Sequence, residues 1–255
     1  MSPTFTAAHR GGAGPPLVCL HGFFDTWRVW ELVLPMLERG FDVLAPTLAG
    51  HAGGPPLGEV TDVALADAVE RAMDEAGFDT AYIAGNSLGG YVALQLAARG
   101  RARTVVAFAP AGGYSDVLDV QSGIQAQARV NAPHAQAMLG TLLGRRLWTQ
   151  MITVNYEHIP VDLLAHQMLG VAGCTAAEAM IEHARRVGWP LDAEQITCPV
   201  RIVWGTADRM LPWPAAAVHY RAELPQAEWV VLDGVGHCPL LDVPLEAAQL
   251  IIGVS

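Results

Sequence analysis

Lysine is absent from this 255-residue chain, which contains fifteen arginines. Acidic residues number 25, so the formal net charge at pH 7 is −10. A basic stripe that could follow a phosphate backbone or an anionic membrane surface is therefore missing. The charge balance argues against nucleic acid as a partner.

Cysteine is scarce and long apolar runs are lacking. The four cysteines are widely spaced and form no C-x-x-C pair, and a chain of this length needs no disulfides for stability. No stretch approaches the roughly 18 consecutive apolar residues that suggest a membrane span. Residues 1–10 lack both the basic start and the apolar centre of a signal peptide. We therefore expect a reduced, cytoplasmic protein that does not enter a membrane.

Short apolar runs alternate with helix-length segments along much of the chain. Runs bounded by glycine and proline predict buried strands at residues 17–20, 43–45, 81–84, 104–109, 200–204 and 229–232. Helices are predicted at Asp62–Ala76 and Leu88–Ala98, and Thr4–His9 is a candidate edge strand turned by residues 11–16. This alternation predicts an α/β fold, with a mostly parallel sheet covered by helices on both faces.

The alternation stops between residues 113 and 190. Gln, Ala, Met and Leu repeat there at helical spacing, and no strand pattern is evident. We predict an inserted helical cap at 113–190 and a core domain made of 1–112 and 191–255. The predicted cap helices are residues 120–130, 135–153, 161–171 and 176–187.

A Gly-x-Ser-x-Gly motif lies where a predicted strand meets a predicted helix. Its members are Gly85, Ser87 and Gly89. A nucleophile on such a sharp turn has a strained backbone, and small residues two positions before and after it avoid a collision. The turn exposes the Ser87 hydroxyl and leaves the Leu88 amide unpaired at the helix start. The motif predicts Ser87 as a nucleophile.

A serine nucleophile needs a general base and an acid that orients it. Asp208 follows one predicted strand and His237 follows the next, in the chain order Ser, Asp, His. Carboxyl ends of adjacent parallel strands meet at one sheet edge, so these side chains are expected to come together with Ser87. Asp233 and Asp242 flank His237 too closely in sequence to orient its ring easily, and they rank below Asp208.

The segment after the first strong strand, His21-Gly22-Phe23-Phe24, is where a second oxyanion donor is expected. We assign that role to the Phe23 backbone amide, beside the Leu88 amide, and interpret His21 as a brace for the loop. The candidate pocket walls, for which ordinary packing is the alternative, are Phe23, Phe24 and Trp27 and, in the cap, Leu139, Leu142, Leu143, Leu147, Trp148, Met151 and Ile152.

Signals for a cofactor or a metal are poor. The glycines at 11–14 precede a strand and open no helix, so they do not form a nucleotide loop. The histidines and cysteines show no metal-ligand spacing, and Cys238 is interpreted as a small apolar residue. We expect neither a cofactor nor a metal.

Together, the Gly85–Gly89 motif, Asp208 and Gly236-His237 resemble the α/β-hydrolase superfamily over nearly the whole chain. The elbow, residues 85–90, is similar to that of meta-cleavage product hydrolases. Those carbon-carbon bond hydrolases usually have a longer oxyanion loop containing Gly and Pro, and commonly a Trp where Cys238 stands. Epoxide hydrolases and haloalkane dehalogenases resemble the chain in fold but carry an Asp nucleophile, so Ser87 argues against both.

The sequence thus predicts a cofactor-independent serine hydrolase that cleaves a small or medium, largely apolar carboxylic ester through an acyl-enzyme. The alternatives are hydrolysis of a carbon-carbon bond, a lactone or a thioester with the same triad, or a ligand-binding protein that retains the triad with little turnover. The oligomeric state stays open at this point.

Overall fold

A computed structural model describes residues 4–61, 63–114 and 117–254 of the chain. Its strands, β1 to β7, are Ala8–Gly12, Pro16–Leu20, Asp42–Pro46, Ala81–Asn86, Ala102–Phe108, Val200–Gly205 and Glu228–Leu232. They form one sheet in the order β1-β3-β2-β4-β5-β6-β7. Strand β1 runs antiparallel to β3, and every other pair is parallel.

Eleven α-helices occur in the described residues. They are α1 to α11, at Leu34–Leu37, Ala64–Glu75, Leu88–Ala98, Val117–Asn131, Ala135–Leu139, Leu142–Thr149, Val161–Gly173, Ala177–Val187, Val218–Glu223, Pro239–Asp242 and Pro244–Ile252. The seven-stranded, mostly parallel sheet with helices confirms the predicted α/β-hydrolase fold.

The sheet separates two apolar cores. One is built around Trp204, Tyr220 and α3, and the other around Trp30, Phe108 and α7. Alternate residues of the central strands face opposite cores, which is why these strands are nearly continuous apolar runs in the sequence. Burial on both faces fixes the strand register, and with it the positions of the loops at the carboxyl ends of β4, β6 and β7.

The six strands predicted from apolar runs are confirmed, and α3 has the predicted bounds. The predicted burial of residues 229–232 was wrong, because β7 is an edge strand in which Leu232 alone is buried. The predicted edge strand Thr4–His9 was placed too early, because the strand that pairs with β3 is Ala8–Gly12. Gly12 continues the strand instead of turning it. It has a φ of 77°, and a Cβ there would lie 2.2 Å from the Phe41 carbonyl oxygen, so only glycine fits this close approach. The predicted helix start at Asp62 lies outside the described residues.

Five helices, α4 to α8, separate β5 from β6, although these strands pair directly in the sheet. Helix α4 packs against α7 and α8, and α5 packs against α6 and α7. The single helix predicted over 135–153 is two helices. Thr141 ends the first by capping α6, since its side-chain oxygen accepts the Gly144 amide at 3.0 Å. Residues 115–116 of the predicted cap lie outside the described part of the chain.

Among the described residues, no helix is both long enough and apolar enough to cross a membrane.

Candidate functional site

Ser87 occupies the turn between β4 and α3. Its backbone has φ 54° and ψ −117°, a left-handed conformation that is costly for any residue other than glycine. Three backbone hydrogen bonds hold it there. The Ser87 amide donates to the Phe108 carbonyl at 2.8 Å, and its carbonyl accepts from Ala111 at 2.9 Å and Tyr91 at 3.1 Å. The strain is therefore maintained by β5 and by the first turn of α3.

The glycines that flank Ser87 are required by close backbone contacts. A Cβ at Gly85 would lie 2.2 Å from the Gly89 carbonyl oxygen, and a Cβ at Gly89 would lie 2.2 Å from the Leu20 carbonyl oxygen. Neither obstacle is the end of a flexible side chain, so the backbone itself would have to move. The steric reason given for the motif from sequence is confirmed.

Asp208 and His237 lie side by side in the loops after β6 and β7. Nδ1 of His237 is 2.7 Å from Oδ2 of Asp208, and the two side chains are 6% and 0% exposed. The other carboxylate oxygen of Asp208 accepts the amides of Met210 and Leu211, both at 2.8 Å. A carboxylate held at both oxygens fixes the imidazole with its proton on Nδ1, which leaves Nε2 free to accept a proton.

Ser87 and His237 line the same cavity. Within the described part of the chain, the hydrogen-bond partner of the His237 ring is Asp208, and no hydrogen bond joins the Ser87 hydroxyl to His237. The structure therefore brings the histidine and the aspartate into direct contact and places the serine on the cavity that the histidine also lines.

Two further side chains position the His237 loop, and the sequence analysis did not assign them this role. Nδ2 of Asn86 donates to the His237 carbonyl at 3.0 Å and to the Phe108 carbonyl at 3.1 Å. The buried Asp242 carboxylate accepts the Gly236 amide at 2.6 Å and the Asn155 amide at 2.6 Å. A buried amide inside the motif is the signal that could have identified Asn86, since such a group needs partners.

The loop that carries the Phe23 amide lies against the nucleophile, because a Cβ at Gly22 would be 3.3 Å from Cβ of Ser87. His21 holds this loop. Its Nε2 accepts the Leu48 amide at 2.8 Å, so its Nδ1 carries the proton and donates to the Gly22 carbonyl at 2.7 Å. That bond fixes the peptide between Gly22 and Phe23. Complete burial lowers the pKa of His21 well below its ordinary value, which keeps the ring neutral.

Two cavities meet at Ser87. The larger has a volume of about 390 Å³ and the smaller about 60 Å³. Ser87, Phe23, Gln121 and Met210 line both of them. The nucleophile therefore stands between two compartments.

The predicted pocket residues are distributed unevenly. Phe24 and Trp148 line the larger cavity, as do Leu147, Met151 and Ile152. Trp27 lies outside both sets of lining residues. Its indole nitrogen donates to the Thr6 hydroxyl at 2.7 Å, and its ring stacks on His9. Leu139 is buried in the apolar core, whereas Leu142 and Leu143 are exposed. The prediction of Trp27 as a pocket wall was therefore wrong, because its side chain packs toward the edge strand β1.

The described residues contain no group of three or more His, Cys, Asp or Glu side chains that could hold a metal ion. All four cysteines are free thiols. Burial raises the pKa of the Cys238 thiol, next to His237, far above its ordinary value, so this thiol is held in its neutral form.

Comparison with known proteins places the chain in a family. Residues 17–250 match the model of the alpha/beta hydrolase family. The chain is 34% identical to epoxide hydrolase EphH of Mycobacterium tuberculosis over 75% of its own length and 94% of that protein. It is 30% identical to the pimeloyl-[acyl-carrier protein] methyl ester esterase of Aromatoleum aromaticum over 93% of this chain and 96% of that protein.

A thermophilic esterase from Thermogutta terrifontis has the same fold, with a TM-score of 0.74 at 20% identity over 97% of this chain and 91% of that one. The family match spans almost the entire sheet, from β2 into α11, and includes the serine, aspartate and histidine loops. The chain belongs to the alpha/beta hydrolase family.

Proposed function

We propose that the protein is a cofactor-independent serine hydrolase that cleaves a small or medium carboxylic ester through an acyl-enzyme. Ser87 attacks the acyl carbon while Nε2 of His237 takes its proton. Asp208 keeps the imidazole in the required tautomer and stabilises the imidazolium that forms. The amides of Phe23 and Leu88 donate to the oxyanion. Water then hydrolyses the acyl-enzyme with His237 as base.

The observation that carries this proposal is the 2.7 Å contact between His237 and the fully buried Asp208, on a cavity that also contains the strained Ser87. The esterase relative from Aromatoleum supports the choice of ester. The epoxide hydrolase relative offers a second substrate class. Opening an epoxide through a covalent intermediate calls for a carboxylate nucleophile, and this chain has Ser87, so the ester is the better match.

Residues 113–190 serve as the cap of this enzyme, with Phe24 and Trp148 as walls of the substrate cavity. The apolar side chains that line the two cavities favour a substrate with an apolar acyl group. Each methylene that fits contributes up to about 0.8 kcal/mol. We expect kcat/KM to rise from acetyl to butyryl or hexanoyl esters and then to fall. The free thiols fit a reducing compartment such as the cytoplasm.

Labelling with a fluorophosphonate tests the nucleophile. An activated serine reacts quickly with this reagent, so we expect one adduct per chain, located at Ser87 by peptide mapping. Ser87→Ala should lose both the adduct and the turnover of p-nitrophenyl butyrate. Ser122→Ala is the matched control, because Ser122 is exposed on α4 and should leave both unchanged. Unchanged labelling of Ser87→Ala would refute the assignment.

The same preparation separates the alternatives. Turnover of a vinylogous diketone, of a lactone or of a thioester with kcat/KM well above that for butyrate esters would replace the ester assignment while keeping the triad. Turnover of styrene oxide above that level would instead contradict Ser87 as the nucleophile, because opening an epoxide through a covalent intermediate calls for a carboxylate. Labelling at Ser87 without turnover of any of these substrates would favour a ligand-binding protein.

A further inference from the structure

The two cavities beside Ser87 differ in chemistry. Among the described residues that line the smaller one, the polar ones are Thr61, Ser87, Tyr91, Tyr114, Gln121 and His183, and none carries a carboxyl group. The other side chains there are apolar and include Leu65, Leu118 and Trp189. Glutamines line the larger one at four positions, Gln121, Gln127, Gln150 and Gln167, together with Asp25 and His237. An ester that spans Ser87 would therefore place its two halves in unlike surroundings.

The position of His237 determines which cavity holds the acyl group of the ester and which holds the alcohol. In acylation the bond between the acyl carbon and the ester oxygen breaks, and the imidazolium formed when Ser87 lost its proton gives that proton to the departing oxygen. The leaving alcohol must therefore lie on the same side as His237. Since His237 lines the larger cavity and is not among the lining residues of the smaller one, the alcohol occupies the larger cavity and the acyl group the smaller.

Asp25 carries the one carboxyl group among the described residues that line the larger cavity, and the mechanism above does not use it. Its Oδ1 accepts the Thr26 amide at 2.9 Å, and its Oδ2 accepts Nε2 of Gln167, on α7, at 2.6 Å. Both donors are neutral, and within the described residues no arginine or histidine forms an ion pair with this carboxyl. A carboxylate offers about four acceptor positions. Two of them are used.

A partly buried carboxylate without a counter-ion is costly to maintain. Burial raises the pKa of Asp25 to about 6, and the hydrogen bonds from Gln167 and Thr26 offset only part of this effect. Gln167 is itself buried, and the bond it donates fixes the carboxylate from the α7 side of the cavity. Such a group is satisfied best by a donor that arrives with the ligand.

We infer that the larger cavity is the leaving-group subsite and that Asp25 makes it select an alcohol carrying a hydrogen-bond donor, namely a hydroxyl or a protonated amine, while the smaller cavity takes the apolar acyl chain. This inference rests on the proposed ester hydrolysis and adds the polarity of the substrate and its direction in the site. Asp25 acts here as a specificity-determining residue.

Matched butyrate esters test the role of Asp25. The first pair is 2,3-dihydroxypropyl butyrate and its hydrocarbon isostere 2-methylbutyl butyrate. The second is 2-(dimethylamino)ethyl butyrate and 3-methylbutyl butyrate. We expect the wild type to favour the ester with the hydrogen-bond donor at least tenfold in kcat/KM in each pair. The amine pair measures the preference for a charged donor, and the diol pair measures the preference for neutral donors. Asp25→Asn should reduce both ratios to within about threefold, because the donor esters lose more kcat/KM than the hydrocarbon esters do.

A substitution in the other cavity tests the direction. Ala184 lines the smaller cavity, and Ala184→Leu should lower the butyrate-to-acetate ratio severalfold while leaving the ratio of donor ester to hydrocarbon ester unchanged. Thermal unfolding of both variants checks that they are folded. If either variant does not fold, Asp25→Ser and Ala184→Val take their places.

Three results would overturn the inference: equal ratios in wild type and Asp25→Asn, a wild-type preference for the hydrocarbon esters, or an Ala184→Leu variant that alters alcohol preference instead of acyl preference. In each of these cases hydrolysis that depends on Ser87 persists, so the proposed function stands. Loss of all ester turnover that depends on Ser87 would remove the proposed function and the inference with it.

Discussion

The loops at the carboxyl edge of the sheet and the helices between β5 and β6 contribute to the same cavities in different ways. At the sheet edge, backbone hydrogen bonds hold Ser87, and amide donors hold the carboxylate of Asp208. On α6, side chains of the same helix differ in their surroundings: Leu143 is 67% exposed, and Trp148 lines the larger cavity. Polar contacts fix the reactive side chains of the first region, whereas the packing of α6 decides which of its side chains reach the cavity. The chemistry should therefore depend on the sheet edge and the substrate range on the helices.

The largest expected effect is at the sheet edge. Asp208→Asn should lower kcat by about 10²- to 10⁴-fold with the fold preserved, because an amide no longer holds the imidazole in the reactive tautomer or stabilises the imidazolium. Steady-state kinetics with p-nitrophenyl butyrate and a circular dichroism spectrum measure this. Asp233→Asn is the matched control. Asp233 accepts a hydrogen bond from the exposed Thr206 hydroxyl and should lose less than threefold. A larger loss of kcat in Asp233→Asn than in Asp208→Asn would show that Asp208 is not the orienting acid.

A smaller effect is expected on α6. Trp148→Ala should lower kcat/KM about tenfold for an ester with a bulky alcohol, such as benzyl butyrate, because apolar contact with the leaving group is lost. For methyl butyrate, which does not reach the ring, the change should stay below twofold. Leu143→Ala, on the same helix but exposed, should alter neither substrate. Equal losses of kcat/KM for both substrates would mean that α6 affects the chemical step. The two regions would then not differ in the way described above.

A further effect, on stability and not on turnover, is expected where the two regions meet, at the bond between Gln167 and Asp25. The pKa of Asp25 is raised to about 6 in the folded protein, above its ordinary value, so the folded state binds this proton more tightly than the unfolded state. The resulting stabilisation is complete below about pH 4 and is lost as the pH rises through 6.

The Asp25→Asn variant has no ionisable carboxyl group at this position. Relative to the wild type it should therefore gain on the order of 1 to 2 kcal/mol in free energy of unfolding between pH 4.5 and pH 8. Urea denaturation at the two pH values measures the gain. A loss instead would show that the ionised carboxylate is well solvated or paired in the folded protein.

Sequence patterns could predict the parts of the site that depend on local geometry. The elbow around Ser87, and the order in which Asp208 and His237 follow strands, are properties of short segments in a regular sheet. Asp25 could not be found in this way, because its partner Gln167 is 142 residues distant in the chain. The orientation of Trp148 was also beyond a pattern argument, since the cap at Thr141 starts a new helix and resets which face turns inward.

The hydrogen bonds of Asp242 have a consequence for protein engineering. An exchange of the insertion between β5 and β6 with that of another hydrolase would replace residues 152–155. Residues 152–155, inside that insertion, are joined to the histidine loop, because Ile152 accepts the Cys238 amide at 2.8 Å and Asp242 accepts the amides of Val154 and Asn155. A foreign insert would remove the support for His237 unless it kept this short segment. The functional junction for such a graft therefore lies at residues 152–155 as well as at the two ends of the insertion.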